Sequence, residues 1–192
     1  MKEYTASRNL FSDDQLWFLQ HHPVFTQGTS CQLSPKHNPR NIPMVKTDRG
    51  GQITYHGPGQ LVVYILVDLK RKKLGVRHFV NQLEQIIIDF LAENNIDAHR
   101  KEKAPGVYVG GKKIAALGLR IKNGCTYHGL SLNVDMDLEP FSWIDPCGYV
   151  DMEVVNMKDY NASLSLTHVK KSFEKHLLAK LNAAAELVNA NL

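Results

Sequence analysis

The stretch LVVYILVDL, residues 61–69, decides the fold of this chain. It is an unbroken apolar run, rich in β-branched residues and short for a helix. Such a run is typical of a strand that is buried on both faces of a sheet. We therefore predict a central β-strand here, around which the other elements are arranged.

Directly before this strand stands RGGQITYHGPGQ, residues 49–60, which holds four glycines and one histidine. No lysine follows the last glycine, so the stretch is not a phosphate loop of the G-x-x-x-x-G-K-[ST] type. It also precedes a strand, whereas the dinucleotide fingerprint G-x-G-x-x-G follows one. Glycines at a strand entrance let backbone N–H groups approach a ligand or another chain segment closely. A tight turn and a ligand-binding wall both fit this pattern.

After the central strand, the pattern predicts an amphipathic helix over residues 75–95. Its apolar positions recur at steps of three and four and share one face: Val76, Phe79, Val80, Leu83, Ile86, Ile87, Phe90 and Leu91. The polar residues Arg77, Gln82, Glu84 and Asp89 fall largely elsewhere. A second helical pattern runs from Ser163 to Val188.

The remaining pattern predicts strands and loops. Gly110-Gly111 and Asn123-Gly124 are typical hairpin turns, flanked by the alternating segments KIAALGLRI (113–121) and HGLSLNV (128–134). The run QLWFLQ (15–20) is predicted as a strand because a histidine and a proline end it quickly. Residues 27–45 and 137–157 are predicted as loops. Together these elements indicate an α+β fold, with one domain over residues 1–192 and helices packed on a mixed β-sheet.

Composition argues against several classes of protein. The chain has 192 residues, 43% hydrophobic and 22% charged, and a net charge of +4, which suits one globular domain. We find no bilayer-spanning apolar stretch and no signal segment, so we expect a cytoplasmic protein that binds neither membrane nor nucleic acid. The basic run Lys70–Lys73 is typical of a solvated loop. The odd set Cys31, Cys125 and Cys147 forms no Cys-x-x-Cys pair, which argues against disulfides and against a zinc site.

Cys147, in the sequence DPCGY, is the candidate nucleophile. The flanking proline and glycine indicate a turn in which the thiol can be reached; a half-buried loop cysteine is the alternative. A nucleophilic cysteine needs a base or a cation beside it. The candidates are His56, His128 and the lysine pair at 112 and 113, although a lone histidine is more often a structural hydrogen-bonding residue.

Strand alternation selects one of the two lysines. Neighbours on a strand face opposite sides, so only one can point towards a site. Lys113 shares its parity with Leu117, Leu119 and Ile121, which we predict to face the interior. A lysine on an inward face either extends out to solvent or is functional. We therefore predict Lys113 as the functional lysine and Lys112 as a surface residue.

Several motifs, in the same order, resemble the lipoyl(octanoyl) transferase family (LipB), which is similar in fold to the biotin and lipoate protein ligases. The matching motifs are RGGQITYHGPGQLVVYILVDL (49–69), GVYVGGKKIAALGLRI (106–121), HGLSLNV (128–134) and IDPCGY (144–149). The likeness extends from about residue 16 to residue 154. Members of that family usually begin with an extra strand and most of a helix, so we expect a shortened N-terminus here.

The resemblance implies an octanoyltransferase. It would move an octanoyl group from octanoyl-acyl carrier protein to a lysine of lipoyl domains, those of 2-oxoacid dehydrogenase E2 subunits and of the glycine cleavage H protein. It implies that Cys147 accepts the acyl group and that Lys113 is its partner. It also implies a set of residues that line the acyl pocket: Arg49, Gly50, Gly51, Gln52, Ile53, Thr54, Tyr55, His56, Ala116, Leu117, Gly118, Gly129, Leu130 and Ser131.

Amide formation from a thioester is downhill, so we expect no ATP, no cofactor and no metal, and we expect a monomer. Three other functions stay open at this point. An ATP-dependent lipoate or biotin ligase would use the same fold. A carrier-binding module without catalysis and a general cysteine hydrolase are the further alternatives.

Overall fold

The structure is a computed structural model, and it describes residues 1–30, 35–102, 104–144 and 153–181, with the backbone of 186–188. Its strands are β1 (Gln15–Leu19), β2 (Val24–Gln27), β3 (Met44–Lys46), β4 (Ile53–His56), β5 (Gln60–Leu66), β6 (His99–Lys101), β7 (Ala104–Val109), β8 (Lys112–Lys122), β9 (Cys125–Asn133) and β10 (Glu186–Val188). Its α-helices are α1 (Lys2–Ser7), α2 (Val76–Glu93) and α3 (Leu166–Leu181). Short 3-10 helices cover Glu139–Trp143 and Met157–Asp159. Among these helices none is long and apolar enough to cross a membrane.

Seven strands form one mixed sheet in the order β10-β1-β5-β9-β8-β7-β6. The predicted central strand β5 lies inside it, antiparallel to β1 and to β9, and most of its residues are buried. At the outer edge, β6 is short and all three of its residues are exposed. The hairpin predictions are confirmed: Asn123 and Gly124 both have positive φ, as do Gly110 and Gly111.

Helices α2 and α3 pack on one face of this sheet and form the main core. Most of the apolar side of α2 is buried as predicted, and its Phe90 meets Phe173 of α3 with ring centroids 4.9 Å apart. Two residues differ from the prediction: Val76, in the first turn, is 46% exposed, and Glu84 is buried, with 5% of its surface exposed. Its carboxylate accepts the Gly106 N–H at 2.9 Å and pairs with Arg100 at 3.2 Å, which offsets the cost of burial. These partners are distant in sequence, so the helical pattern alone could not reveal them.

A second sheet of three strands, in the order β3-β2-β4, carries a smaller apolar cluster with Phe25, Tyr55 and Phe141. The turn at residues 57–59 leads the chain from β4 into β5, and so from the small sheet to the large one. Gly59 has a φ of +86°, and a Cβ there would lie 2.1 Å from the Asp135 carbonyl oxygen. Part of the glycine pattern at 49–60 is therefore explained by this close crossover.

The C-terminal helix prediction is wrong at its end. Helix α3 ends at Leu181, and residues 186–188 form β10, which pairs in parallel with β1. Pairing with an open sheet edge outweighs the helical pattern there. The alanines at 183–185, which we predicted as helical, lie outside the described residues, as do Cys31 and Cys147.

Candidate active site

A cavity of about 320 Å³ is lined by residues of both sheets. Val24 and Ile53 of the small sheet contribute apolar surface, as do Val62 and Leu130 of the large sheet. The size is at the lower end of the range for small-molecule sites. All the residues predicted to line an acyl pocket lie in this wall except Tyr55.

Tyr55 lies behind the wall. It alternates with Thr54 and His56 on β4, so its side chain points away from theirs and into the smaller apolar cluster. Its ring packs edge-on against Phe141 at 5.6 Å. The prediction that Tyr55 lines the cavity is therefore wrong.

Arg49 holds the glycine loop together. Its guanidinium donates to the carbonyl oxygens of Gly50, Gln52 and Thr26 at 3.0, 2.7 and 2.6 Å, and also to the Thr26 hydroxyl. In turn, the Gly50 N–H donates to the Leu119 carbonyl of β8 at 3.1 Å. These bonds fix the loop against the large sheet, so Arg49 shapes the wall through the backbone.

Lys113 is buried, with 6% of its surface exposed, whereas Lys112 is half-exposed and pairs with Glu153 at 2.8 Å. The choice between the two lysines agrees with the structure, but the parity argument behind it is wrong. The register of β7 and β8 shifts here: Lys113 pairs with Tyr108, while Ala115 pairs with Val107. The extra residue, Ile114, changes which face the following side chains occupy.

The bulge therefore separates Lys113 from the residues with which its parity grouped it. Leu117, Leu119 and Ile121 pack against the helix-side core. Lys113 is not part of that core and lines the cavity with Ala116 and Gly118, where Leu117 also contributes to the wall. No local feature of the sequence marks the bulge.

The Lys113 ammonium lies 3.3 Å from the Pro105 carbonyl oxygen and 5.3 Å from the centre of the Tyr108 ring. The ammonium thus lies between a hydrogen-bond acceptor and the face of an aromatic ring. The next residue, Gly106, has a φ of +134°, and a Cβ there would lie 3.1 Å from Lys113 Cε. Glu84, which binds the Gly106 N–H, thus helps to shape the pocket that holds the lysine.

The chain that follows Cys147 returns to Lys113. The Lys113 N–H donates to the Glu153 carbonyl at 2.9 Å, and the Val155 N–H donates to the Lys113 carbonyl at 3.1 Å. Val154 lines the cavity between these two bonds. Residues 153–155 are therefore held against the backbone of the buried lysine.

His21 and His128 line the same cavity, and His21 was not predicted. His21 bonds to the Tyr64 hydroxyl at 2.8 Å, and burial lowers the pKa of His21. His21 follows strand β1, and nothing in its local sequence distinguishes it from a surface histidine. Its role in the wall depends on β1 pairing with β5.

Asp48 binds two neighbouring side chains of β9, the Tyr127 hydroxyl at 2.7 Å and His128 Nε2 at 2.8 Å. Adjacent strand residues normally face opposite sides. Here His128 has a φ of +59°, which lets both reach one carboxylate. Burial raises the pKa of Asp48, but hydrogen bonds from His128, Tyr127 and Lys2 outweigh this effect and hold it well below its ordinary value.

His56 begins a buried chain of hydrogen bonds. Its Nδ1 lies 2.7 Å from Gln60 Oε1, and Gln60 Nε2 donates to Asn133 Oδ1 at 2.9 Å. Asn133 Nδ2 then donates to the Val155 carbonyl at 3.2 Å. Because the Val155 N–H binds the Lys113 carbonyl, the chain connects His56 to the lysine strand.

Cys125 is buried near the far end of β9, and burial raises the pKa of its thiol. It does not line the cavity. This placement keeps Cys125 apart from the candidate site.

Comparison with known proteins found a matching family model and relatives of more than 50% identity. The model of the lipoyl protein ligase A/B catalytic domain matches residues 1–178. An octanoyltransferase of Chromobacterium violaceum is 55% identical over 186 residues, which are 97% of this chain and 90% of that protein. An octanoyltransferase of Dechloromonas aromatica is 53% identical over 184 residues, which are 95% of this chain and 89% of that protein.

Among solved structures, a bi-partite lipoate protein ligase from Thermoplasma acidophilum, described with its E2 lipoyl domain, has a TM-score of 0.75 at 15% identity. The match covers 100% of this chain and 79% of that chain. At this identity the likeness concerns the fold alone, and it confirms the predicted fold class of a mixed sheet with packed helices.

Proposed function

The chain belongs to the lipoyl protein ligase A/B catalytic family, among the octanoyltransferases, and from this premise we propose that it moves an octanoyl group from octanoyl-acyl carrier protein to a lipoyl-domain lysine through an acyl-Cys147 thioester. The observation that carries the proposal is the buried Lys113 ammonium in the wall of an apolar cavity. Lipoyl domains are the proposed acceptors because the family and its structural relatives serve lipoylation.

The cavity suits a short acyl chain. Its aliphatic lining, with Val62 and Leu130 on one side and Ile53 on the other, removes methylene groups from water. Each buried methylene contributes about 0.8 kcal/mol. Glycines at positions 50, 118 and 129 also line the cavity, and each lets two segments of the wall pack closely, because a Cβ there would lie 1.9–3.1 Å from a backbone carbonyl oxygen of a neighbouring segment.

The reaction requires two acyl transfers. In the first, the Cys147 thiolate attacks the donor carbonyl and the carrier thiol leaves. In the second, the acceptor amine attacks the acyl-cysteine, forms the amide and releases the Cys147 sulfur. Lys113, as a cation, favours the thiolate. In the second transfer it can give a proton to the departing sulfur and then take up the proton that the amine loses.

The test is an intact-mass measurement without ATP. Incubation with octanoyl-acyl carrier protein alone adds one octanoyl group, which hydroxylamine removes and which Cys147→Ser lacks. Adding a lipoyl domain then moves the group to the domain. Absence of the adduct in the unmodified protein contradicts the covalent route.

Two controls separate the other activities. Lys113→Ala slows both steps, whereas Lys112→Ala, at the half-exposed neighbour, changes neither by more than about twofold. Octanoylation that requires ATP and free octanoate would instead indicate a ligase on this fold. Release of free octanoate without an acceptor would indicate a hydrolase.

A further inference from the structure

The hydrogen bonds around His56 determine which of its two ring nitrogens carries the proton. The Val155 carbonyl oxygen can only accept, so Asn133 must present its Nδ2 to it and its Oδ1 to Gln60. Gln60 must then donate through Nε2, which leaves its Oε1 to accept from His56. The proton of a neutral His56 therefore sits on Nδ1, and Nε2 carries the lone pair.

The two amides have little freedom to reverse this order. Gln60 and Asn133 face each other directly across β5 and β9 and are 1% and 4% exposed. Reversing either amide would place two donors or two acceptors together in a buried position, which costs about 1–3 kcal/mol. The pKa of His56 is lowered to about 3, mainly by burial. The hydrogen bond to Gln60 opposes this shift, and the nearby His21, Arg49 and His128 add to it.

His56 Nε2 is the ring nitrogen that the bond to Gln60 leaves available. His56 is partly buried and lines the cavity wall, and among the described residues its hydrogen bonding is confined to Nδ1. The His21 ring, 5.6 Å away between centroids, is occupied by its own bond to Tyr64. His56 thus offers the cavity a neutral acceptor nitrogen, and the Gln60–Asn133 pair fixes its protonation from the opposite side of the ring.

We propose that the Gln60–Asn133 pair holds His56 as a fixed acceptor and that its Nε2 receives an N–H of the incoming acceptor amine during the second acyl transfer. This inference rests on the proposed function. A primary amine attacks through its lone pair, so one of its N–H bonds is free to point at Nε2 while the other proton is lost. The hydrogen bonds from Asn133 to Val155 and from Val155 to Lys113 connect this acceptor to the lysine that lines the same cavity. His56 would touch the substrate, whereas Gln60 and Asn133 are positioning residues.

The first test measures the tautomer in the unmodified protein. Nitrogen-15 NMR of labelled histidine, with the His56 signals assigned by their loss in His56→Phe, should show a protonated Nδ1 and a bare Nε2. This pattern should hold from about pH 5 to pH 8, where an ordinary histidine titrates. A protonated Nε2, or titration within that range, overturns the inference.

The second test separates the two transfers by rapid quench. In His56→Phe, aminolysis by the lipoyl domain should fall about tenfold more than acyl-enzyme formation, and His56→Gln, which offers an amide oxygen, should recover part of the loss. Equal slowing of both steps overturns the role in amine binding.

The positioning role has its own measurement. Gln60→Leu should give a mixture of His56 tautomers and a matching loss of aminolysis, whereas an unchanged tautomer overturns the role of Gln60. If the unmodified protein forms no acyl-enzyme, the proposed function fails together with the amine role. The NMR measurement tests the tautomer of His56 independently of that outcome.

Discussion

Arg49→Lys should destabilise the protein although it keeps the charge. The Arg49 guanidinium makes five hydrogen-bonding contacts with Thr26, Gly50 and Gln52, three of them from Nη2, whose two protons are shared among three acceptors. A lysine ammonium is a single point on a flexible stem and cannot reach acceptors on several sides at once. We expect it to keep one or two of these bonds.

The magnitude follows from the bonds that are lost. Three lost bonds, at about 1 kcal/mol each, lower the free energy of unfolding by about 3 kcal/mol. That is a large part of the ~5–15 kcal/mol that stabilises a typical domain. The loop also forms the cavity wall, so the KM for the octanoyl donor should rise.

Urea unfolding, followed by circular dichroism, measures the loss. Arg77→Lys, at an exposed position on α2, is the matched control and should change the free energy by less than about 0.5 kcal/mol. A loss below about 1 kcal/mol in Arg49→Lys would refute the view that the guanidinium network holds the loop.

Three further predictions concern stability and activity. Glu84→Leu should lower the free energy of unfolding by about 2 kcal/mol, because the Gly106 N–H loses its buried acceptor, and Glu84→Gln should recover part of it in the same urea assay; equal losses would contradict this. Gly129→Ala should prevent folding at 37 °C, because its Cβ would lie 1.9 Å from the Val63 carbonyl oxygen, and a soluble protein with unchanged melting temperature would refute the clash. Stability should fall as the pH drops below about 6.5, since the unfolded chain binds a proton at His56 that the folded protein, with its lowered pKa, does not. The fall should be smaller in His56→Phe, and an equal fall would contradict it.

Local patterns predicted the elements that depend on local chemistry. The Asn123-Gly124 turn follows from two positive φ angles that few other residues adopt. Helix α2 follows from apolar spacing, and β5 from an apolar run too short for a helix. The residues of the candidate site came mainly from family resemblance, and all except Tyr55 lie around one cavity.

The features that sequence could not predict depend on distant contacts. The bulge at Ile114 arises from the register with β7, and it moves Lys113 to the cavity face against simple alternation. Glu84 is buried because its partners come from β6 and β7. Strand β10 exists because β1 offers it an edge. In each case tertiary structure outweighed a correct local preference.

Strand β6 has a consequence for behaviour at high concentration. An open sheet edge is a template on which another copy can add a strand, and this is a common start of aggregation. The exposed side chains of β6 are His99, Arg100 and Lys101, and its pairing with β7 is irregular between the last two. Cationic side chains, a length of three residues and a distorted ladder all oppose such growth. We therefore expect this edge to resist strand addition.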